Sequence, residues 1–364
     1  MYYENELKAL KKSGRLRSRE VVNTSVLDFA SNDYLGLSHN KELHNTTCLE
    51  LSKLPLHSSK ASLLVNGYHQ IHQDFERALC KANGFEDAVV LGSGFCANIA
   101  LIESLVRKGD ILFMDEKYHA SGVLASQLTH VEVVFFKHNT MWELEELFKK
   151  YPRAKRKIVA VEGIYSMDGD VVDKKVFAIC EKENALLIVD EAHSSGVVGD
   201  RLMGVFDLYN IEVKPNHIKM GTLGKAYGSF GAYILASAHI IEYLINRAKP
   251  IIYATSLSLY DTLLGHKGFE YILENAQILK GKIHKRQSLV KDILNINMDG
   301  LILPVVINDN TKVIEIKNEL LALGLHVGAI RKPTVSKAII RVIARLGETE
   351  EDFKILCEKL KRYR

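Results

Sequence analysis

Leu186-Leu187-Ile188-Val189-Asp190-Glu191-Ala192-His193-Ser194-Ser195-Gly196 is an apolar run that closes on a carboxylate and then breaks into small and polar residues. Such a run, bounded by turn formers, reads as a strand buried on both faces, the kind found in parallel sheets. Runs of the same type stand at 88–91, 111–114, 131–136, 158–161 and 231–236, and amphipathic segments such as 141–151 and 174–183 lie between several of them. Apolar strands alternating with helices predict an α/β fold: a mostly parallel sheet covered on both faces, whose ligands bind beyond the carboxyl ends of the strands.

The chain has 364 residues, whereas one hydrophobic core usually stops growing near ~250–300 residues, so a large unit and a smaller one are expected. Residues 1–40 read as an N-terminal arm, 41–245 as the large α/β domain, 246–290 as a helical linker and 291–364 as a small α+β domain. In that last part, short strands are predicted at 301–307 and 339–343, and helices at 312–323 and 350–364. A hydrophobic content of 47% with 25% charged residues excludes general disorder. The net charge of +4 is small and its basic residues are interspersed with acids, which argues against a nucleic-acid surface. Five cysteines without a CxxC pair suit reduced thiols, and neither a secretory segment nor a run of ~20 apolar residues is read, so a soluble, cytoplasmic protein is expected. No metal-ligating pattern is read.

Four strand-end clusters carry chemistry. Leu91-Gly92-Ser93-Gly94-Phe95-Cys96-Ala97-Asn98 runs from strand through small residues into a helix, which lets backbone N–H groups approach a phosphate. It has neither GxGxxG spacing nor a P-loop lysine. Asp190 ends an apolar strand, where a carboxylate is costly unless a cation or donor meets it. Gly221-Thr222-Leu223-Gly224-Lys225-Ala226-Tyr227-Gly228 surrounds a lysine with small residues that leave room for a planar ring. Lys117-Tyr118-His119-Ala120-Ser121 follows another strand, and the His119 ring is flat enough to stack on a cofactor. Each cluster alone has a plainer reading as a tight turn, a helix cap, a solvated lysine or a surface histidine. In this order on one alternating α/β chain, they point to a type I fold that binds pyridoxal phosphate (PLP).

The sequence resembles the α-oxoamine synthases nearly end to end. The resemblance rests on Ser31-Asn32-Asp33-Tyr34-Leu35-Gly36-Leu37, Ser93-Gly94-Phe95 with Ala97-Asn98, Tyr118-His119-Ala120-Ser121 and Glu162-Gly163-Ile164-Tyr165-Ser166-Met167-Asp168-Gly169-Asp170. It continues through Asp190-Glu191-Ala192-His193, Thr222-Leu223-Gly224-Lys225 and Ala329-Ile330-Arg331-Lys332-Pro333-Thr334-Val335, the last similar to the biotin branch of the family. The resemblance implies a type I aminotransferase-like fold, PLP as cofactor, and a Schiff base to Lys225. It further implies that Asp190 meets the pyridine nitrogen, His193 the ring hydroxyl and His119 the ring face. Gly94, Phe95, Ser166, Thr222 and Thr255 would hold the cofactor, the last with Ser256 across a dimer interface. Arg341 matches the substrate-carboxylate binder, with Arg345 as the alternative, and Arg17 and Thr334 match acyl-substrate contacts.

The implied activity is decarboxylative condensation of L-alanine with a pimeloyl thioester on acyl-carrier protein or coenzyme A, in biotin biosynthesis. A sister reaction with another pair, such as glycine and acetyl-CoA, is the alternative. A homodimer is implied by analogy. Three departures stand out: Ser58-Ser59-Lys60-Ala61-Ser62-Leu63-Leu64-Val65-Asn66-Gly67 replaces a glycine-rich loop, Ser194-Ser195 a Gly-Thr pair, and Ser258-Leu259 a Pro pair.

Overall fold

In the computed structural model, which describes residues 2–363 except 14, 18, 20 and 22, seven strands form the main sheet. They are β1 (Asp87–Leu91), β2 (Ile111–Asp115), β3 (Glu132–Phe136), β4 (Lys157–Glu162), β5 (Leu186–Asp190), β6 (His217–Thr222) and β7 (Ala232–Ala236). Their spatial order is β1-β7-β6-β5-β4-β2-β3. Only β7 runs against the others; the pairs among β2 to β6 are parallel.

Strand pleating sorts the apolar residues onto two faces. Ile158, Ala160, Ile188, Ile218, Met220 and Ile234 join one cluster with Ala97 and Leu101 of helix Gly94–Leu105 and Ile241 and Leu244 of helix Ala238–Arg247. Val159, Val161, Leu187, Val189 and Leu235 face the other way, toward Phe75, Leu144, Phe148 and Phe269 from helices Gln70–Asn83, Met141–Lys150 and Leu259–Glu274. Both faces being dry explains the nearly continuous apolar strands.

The expected strands at 88–91, 111–114, 131–136, 158–161, 186–189 and 231–236 all lie in this sheet. β6 has no continuous apolar run, although the cluster at 221–228 implies a strand ending there. Its sequence, His-Ile-Lys-Met-Gly-Thr, interrupts the apolar run with His217 and Lys219, yet it sits mid-sheet between β5 and β7 with Lys219 fully buried. Lys219 is accommodated by donating to Asn83 Oδ1 at 2.8 Å and to the Met203 carbonyl, with Glu191 Oε1 at 3.9 Å. A buried ammonium satisfied in this way is tolerated where an unpaired one is not.

A second, antiparallel sheet has the order β9-β10-β8, from β8 (Ile302–Val306), β9 (Gly328–Ile330) and β10 (Ile339–Ile343). Helices Lys312–Ala322 and Glu350–Leu360 pack on it through Ile316, Leu320, Phe353 and Leu356. The turn-rich segment near residue 30 is stitched to this part of the chain. Leu27 and Asp28 pair with Leu325 and His326, Ile343 N donates to Phe29 O at 2.8 Å, and Leu346 N donates to Tyr34 O at 2.8 Å. Arg345, 1% exposed, completes the seam with Asp28, Asp33 and Glu348 at 3.0, 2.5 and 3.2 Å.

His138, just after β3, ties three strand ends together. Its Nδ1 lies 3.1 Å from Asp115 Oδ1 and its Nε2 2.9 Å from Asp170 Oδ2, while Tyr165 donates to Asp115 Oδ2 at 2.8 Å. Burial lowers the imidazolium, but bonds to Asp115 and Asp170 prevail and raise it to about 9. Its folded value exceeds the ordinary one near ~6.5. The clamp therefore contributes fully below that pH and is lost as pH rises through about 9. Thermal melts should show His138→Gln less stable than the parent at pH 6, with the gap closing by pH ~10; a pH-independent gap would contradict the charged clamp.

Candidate active site

The carboxyl ends of β1, β2, β4, β5 and β6 lead respectively to Gly94, His119, Ser166, His193 and Lys225. At the centre, Lys225 Nζ lies 2.7 Å from His193 Nε2, and His193 Nδ1 lies 2.5 Å from Tyr34 OH. Burial, with Lys225, Arg341 and His119 nearby, holds His193 well below the usual histidine range, so its ring is neutral. A neutral imidazole has one donor and one acceptor nitrogen, so the proton state of Lys225 sets whether Tyr34 receives or gives a proton in its bond. Burial also brings Lys225 down to about 8, against the raising pull of Asp190 and Glu162. A lysine near this value presents a substantial neutral fraction and can act as a nucleophile.

Asp190 ends β5 on the same face as helix Gly94–Leu105 and is 5% exposed. Its Oδ2 accepts from Asn98 Nδ2 at 2.9 Å and its Oδ1 from Ala192 N at 3.0 Å. Asn98 is itself fixed, donating also to Ser121 Oγ at 3.0 Å and accepting from Tyr118 OH at 2.7 Å. His119 caps helix Ala120–Gln127, with Nδ1 2.7 Å from Ser121 Oγ.

Helix Gly94–Leu105 opens with Ser93 accepting from Cys96 N at 3.2 Å. The first N–H groups of a helix have no partner within it and favour an anion. A Cβ at Gly94 would sit 3.9 Å from Thr222 Cβ, so these two expected phosphate contacts are neighbours. The Thr222 hydroxyl donates to Gly231 O at 2.9 Å and accepts from Gly224 N at 3.3 Å.

Of the two candidate arginines, Arg341 borders this group. Its Nε donates to Ser166 O at 2.8 Å and both its terminal nitrogens reach Asn32 Oδ1 at 3.1 Å. Arg345 is committed to the three carboxylates of the seam, so it has no charge to offer a ligand. Three expected residues stand apart from the buried group. Arg17 is exposed beyond helix Glu4–Lys12, Thr334 is exposed in the turn where its N–H donates to Arg331 O at 3.0 Å, and Thr255 is exposed beside Ser62, with which it forms an isolated bridge.

The departures are satisfied locally. Ser194 Oγ donates to Glu191 and Ser195 Oγ lies 2.9 Å from Tyr233 OH. Ser258 caps helix Leu259–Glu274 by accepting from Asp261 N at 3.0 Å. The serine-rich loop packs on the 255–257 segment through Ser59 Oγ to Leu257 O at 2.5 Å and Ser256 N to Ala61 O at 3.0 Å. Asn98, Tyr34, Asn32 and Glu162 stand in the sequence strings that carry the resemblance, but the sequence alone assigns them no role. A lone amide in an apolar helix was the available signal for Asn98.

A planar, anionic ligand with a basic ring nitrogen fits this donor set: an amine, an anchored carboxylate opposite it, and a helix N-terminus. Unpartnered buried atoms, Ser256 Oγ and Glu162 Oε1, lie in the expected cofactor segments. Among the described residues, no three His, Cys, Asp or Glu are placed to hold a metal ion, and no helix is long and apolar enough to cross a membrane.

This is the frame of a type I PLP-dependent enzyme, and comparison with known proteins agrees. The family model for aminotransferase class I and II matches residues 24–360. An 8-amino-7-oxononanoate synthase from Helicobacter pylori is 42% identical over 99% of this chain and 97% of its own length. One from Geobacter sulfurreducens is 31% identical over 95% and 93%. Among solved structures, the 8-amino-7-oxononanoate synthase of Francisella tularensis superposes with a TM-score of 0.78 at 25% identity, covering 94% of this chain and 99% of its own. A serine palmitoyltransferase from Sphingomonas wittichii does so at 0.89 and 23%, covering 99% and 96%, and shows the shared fold. The chain belongs to the aminotransferase class I and II family, within it to the α-oxoamine synthases, and its cofactor is PLP.

Asn98→Ala strips a charge-assisted bond from a buried carboxylate, worth about 1.5–3 kcal/mol. Equilibrium titration with PLP should show roughly tenfold or greater loss of affinity; unchanged affinity would contradict the anchoring of Asp190 by Asn98.

Proposed function

We propose that this chain condenses L-alanine with a pimeloyl thioester to give 8-amino-7-oxononanoate, CO2 and the free carrier thiol, a step of biotin biosynthesis. The observation that carries the reading is the Lys225–His193–Tyr34 chain beside the anchored Asp190, in a protein 42% identical to a named synthase of this kind. The bond formed joins the alanine Cα to the acyl carbonyl carbon. The bonds broken are the thioester C–S bond and the bond from Cα to the departing carboxylate.

PLP, when bound through Lys225, supplies an electron sink for charge at the alanine Cα. Asp190, held by Asn98 and Ala192 N, would meet the ring nitrogen. The Lys225 amine would take the Cα proton and later return one, which its value of about 8 suits. Neutral His193, braced by Tyr34, would be a hydrogen-bond partner for the ring hydroxyl, and His119, held by Ser121, would cover the ring face. Gly94, Phe95, Ser166 and Thr222 hold the phosphate and ring substituents. Arg341 takes the substrate carboxylate, since among the described residues its guanidinium rests on neutral groups, Ser166 O, Asn32 Oδ1 and the Tyr34 phenol, and on no carboxylate.

Arg17 and Thr334 belong to the acyl end of the site in this reading. Near Thr334 lies a cleft of about 590 Å³ whose charged lining is Arg15, Arg331, Lys332 and Glu315. Three cations against one carboxylate leave a net positive lining, which suits the phosphate-bearing arm shared by coenzyme A and acyl-carrier protein. A second copy of the chain completes the site and brings Thr255 to the cofactor. Leu64, Val65, Phe95, Phe230 and Tyr253 are exposed on segments that flank the site, and exposed apolar groups there favour a partner. Residues 1–40 then act as the arm, 41–245 as the cofactor domain, 246–290 as the helical linker and 291–364 as the small domain, working in the cytoplasm.

Mass spectrometry of products, with alanine or glycine and a panel of acyl thioesters, tests the reading. Alanine with pimeloyl-carrier protein or pimeloyl-CoA should give 8-amino-7-oxononanoate, and Lys225→Ala none. Product only from glycine and acetyl-CoA would replace this assignment with the sister reaction. Sedimentation of the holoenzyme should give a dimer; a monomer with full turnover would contradict the shared site.

A further inference from the structure

Glu162 closes β4 directly beside Asp190, its register partner on β5, and is 1% exposed. The two carboxylates differ in what meets them. Asp190 has two donors, whereas Glu162 accepts only Ser166 N at 3.0 Å on Oε2, and its Oε1 has no partner among the described residues. The charged groups that act on it most are Asp190 from β5, Asp115 from β2 and the cation Lys225; the phenols Tyr34, Tyr118 and Tyr165 also feel its charge. Two adjacent buried carboxylates do not both ionise, and the one with fewer donors keeps the proton. Burial and Asp190 push Glu162 well above the usual carboxylate range, in agreement.

We infer that Glu162 is a neutral carboxylic acid that positions the Ser166 turn, on which Arg341 rests, without placing a second negative charge beside an incoming carboxylate. Its carbonyl oxygen holds Ser166 N, and Ser166 O in turn receives Arg341 Nε at 2.8 Å. An ionised Glu162 could hold the same turn, but it would repel the substrate carboxylate that Arg341 has to attract. The inference deepens the proposed function, since it rests on Arg341 as the carboxylate binder.

Infrared spectroscopy at pH 8.5 tests the protonation state without catalysis. At that pH Glu76, which burial raises to about 7, is ionised. A protonated-carboxyl carbonyl band is expected in the parent protein, shifted by 13C-glutamate labelling and missing in Glu162→Gln. Absence of a glutamate-derived band overturns the inference, and the labelling result stands even if Glu162→Gln does not fold.

Kinetics then test the positioning. Glu162→Gln should keep the KM for alanine within about threefold and leave the Schiff-base absorbance titration unmoved, whereas Glu162→Ala should raise that KM roughly tenfold while retaining PLP. A titration shifted by a unit or more in Glu162→Gln would mean that a charge had been removed, and would contradict the inference. If alanine is not a substrate but the infrared band is present, the proposed function fails while the neutral Glu162 stands.

Discussion

A negative charge held in a dry place is the constraint around which this protein is organised. Asp190 sits at the end of a strand buried on both faces, where an unmet carboxylate would cost several kcal/mol. Asn98 and Ala192 N meet it with two hydrogen bonds, and Tyr118 and Ser121 fix Asn98 in turn. With the Asp190 anion secured, its neighbours are set apart from it: Lys225 is drawn down by burial, His193 is kept neutral, and Glu162 retains its proton. Neighbouring titratable groups pushed in opposite directions are a mark of acid–base machinery.

The second requirement is to bring a distant part of the chain to these strand ends. The small sheet does so through its seam with residues 27–34. β10 carries Arg341, the Phe29–Tyr34 segment carries Asn32 and Tyr34, and Arg345 locks the two together by bridging Asp28 and Asp33. The two arginines are four residues apart yet divide the work. Arg345 spends its charge on three carboxylates, and Arg341 pairs with no carboxylate among the described residues, which leaves its charge for a ligand. Lys219 and Lys225 divide similarly. The first is surrounded by acceptors deep behind β6, and the second makes one bond, to a neutral histidine.

Much of this was legible in the residues. The six continuous apolar runs became strands because burial on both faces demands that pattern; the turns that follow three of them carry Gly94, His119 and His193, and Asp190 closes one of the strands itself. What escaped notice has physical reasons. The body of β6 was hidden because Lys219 breaks its apolar run, and a buried lysine is intelligible only once Asn83, Met203 and Glu191 are known to surround it. Asn98 and Tyr34 act through contacts with residues 92 and 159 positions away, a distance that periodicity does not span. Exposed Arg17, Thr334 and Thr255 had a signal only through family resemblance, and their settings in a single chain do not join the buried group.

Borohydride reduction of the holoenzyme followed by peptide mapping tests the central claim most directly. The account predicts one pyridoxyl adduct, on Lys225, in the stretch Thr222-Leu223-Gly224-Lys225. An adduct on Lys219 or another lysine, or no adduct on a protein that still turns over, would contradict it.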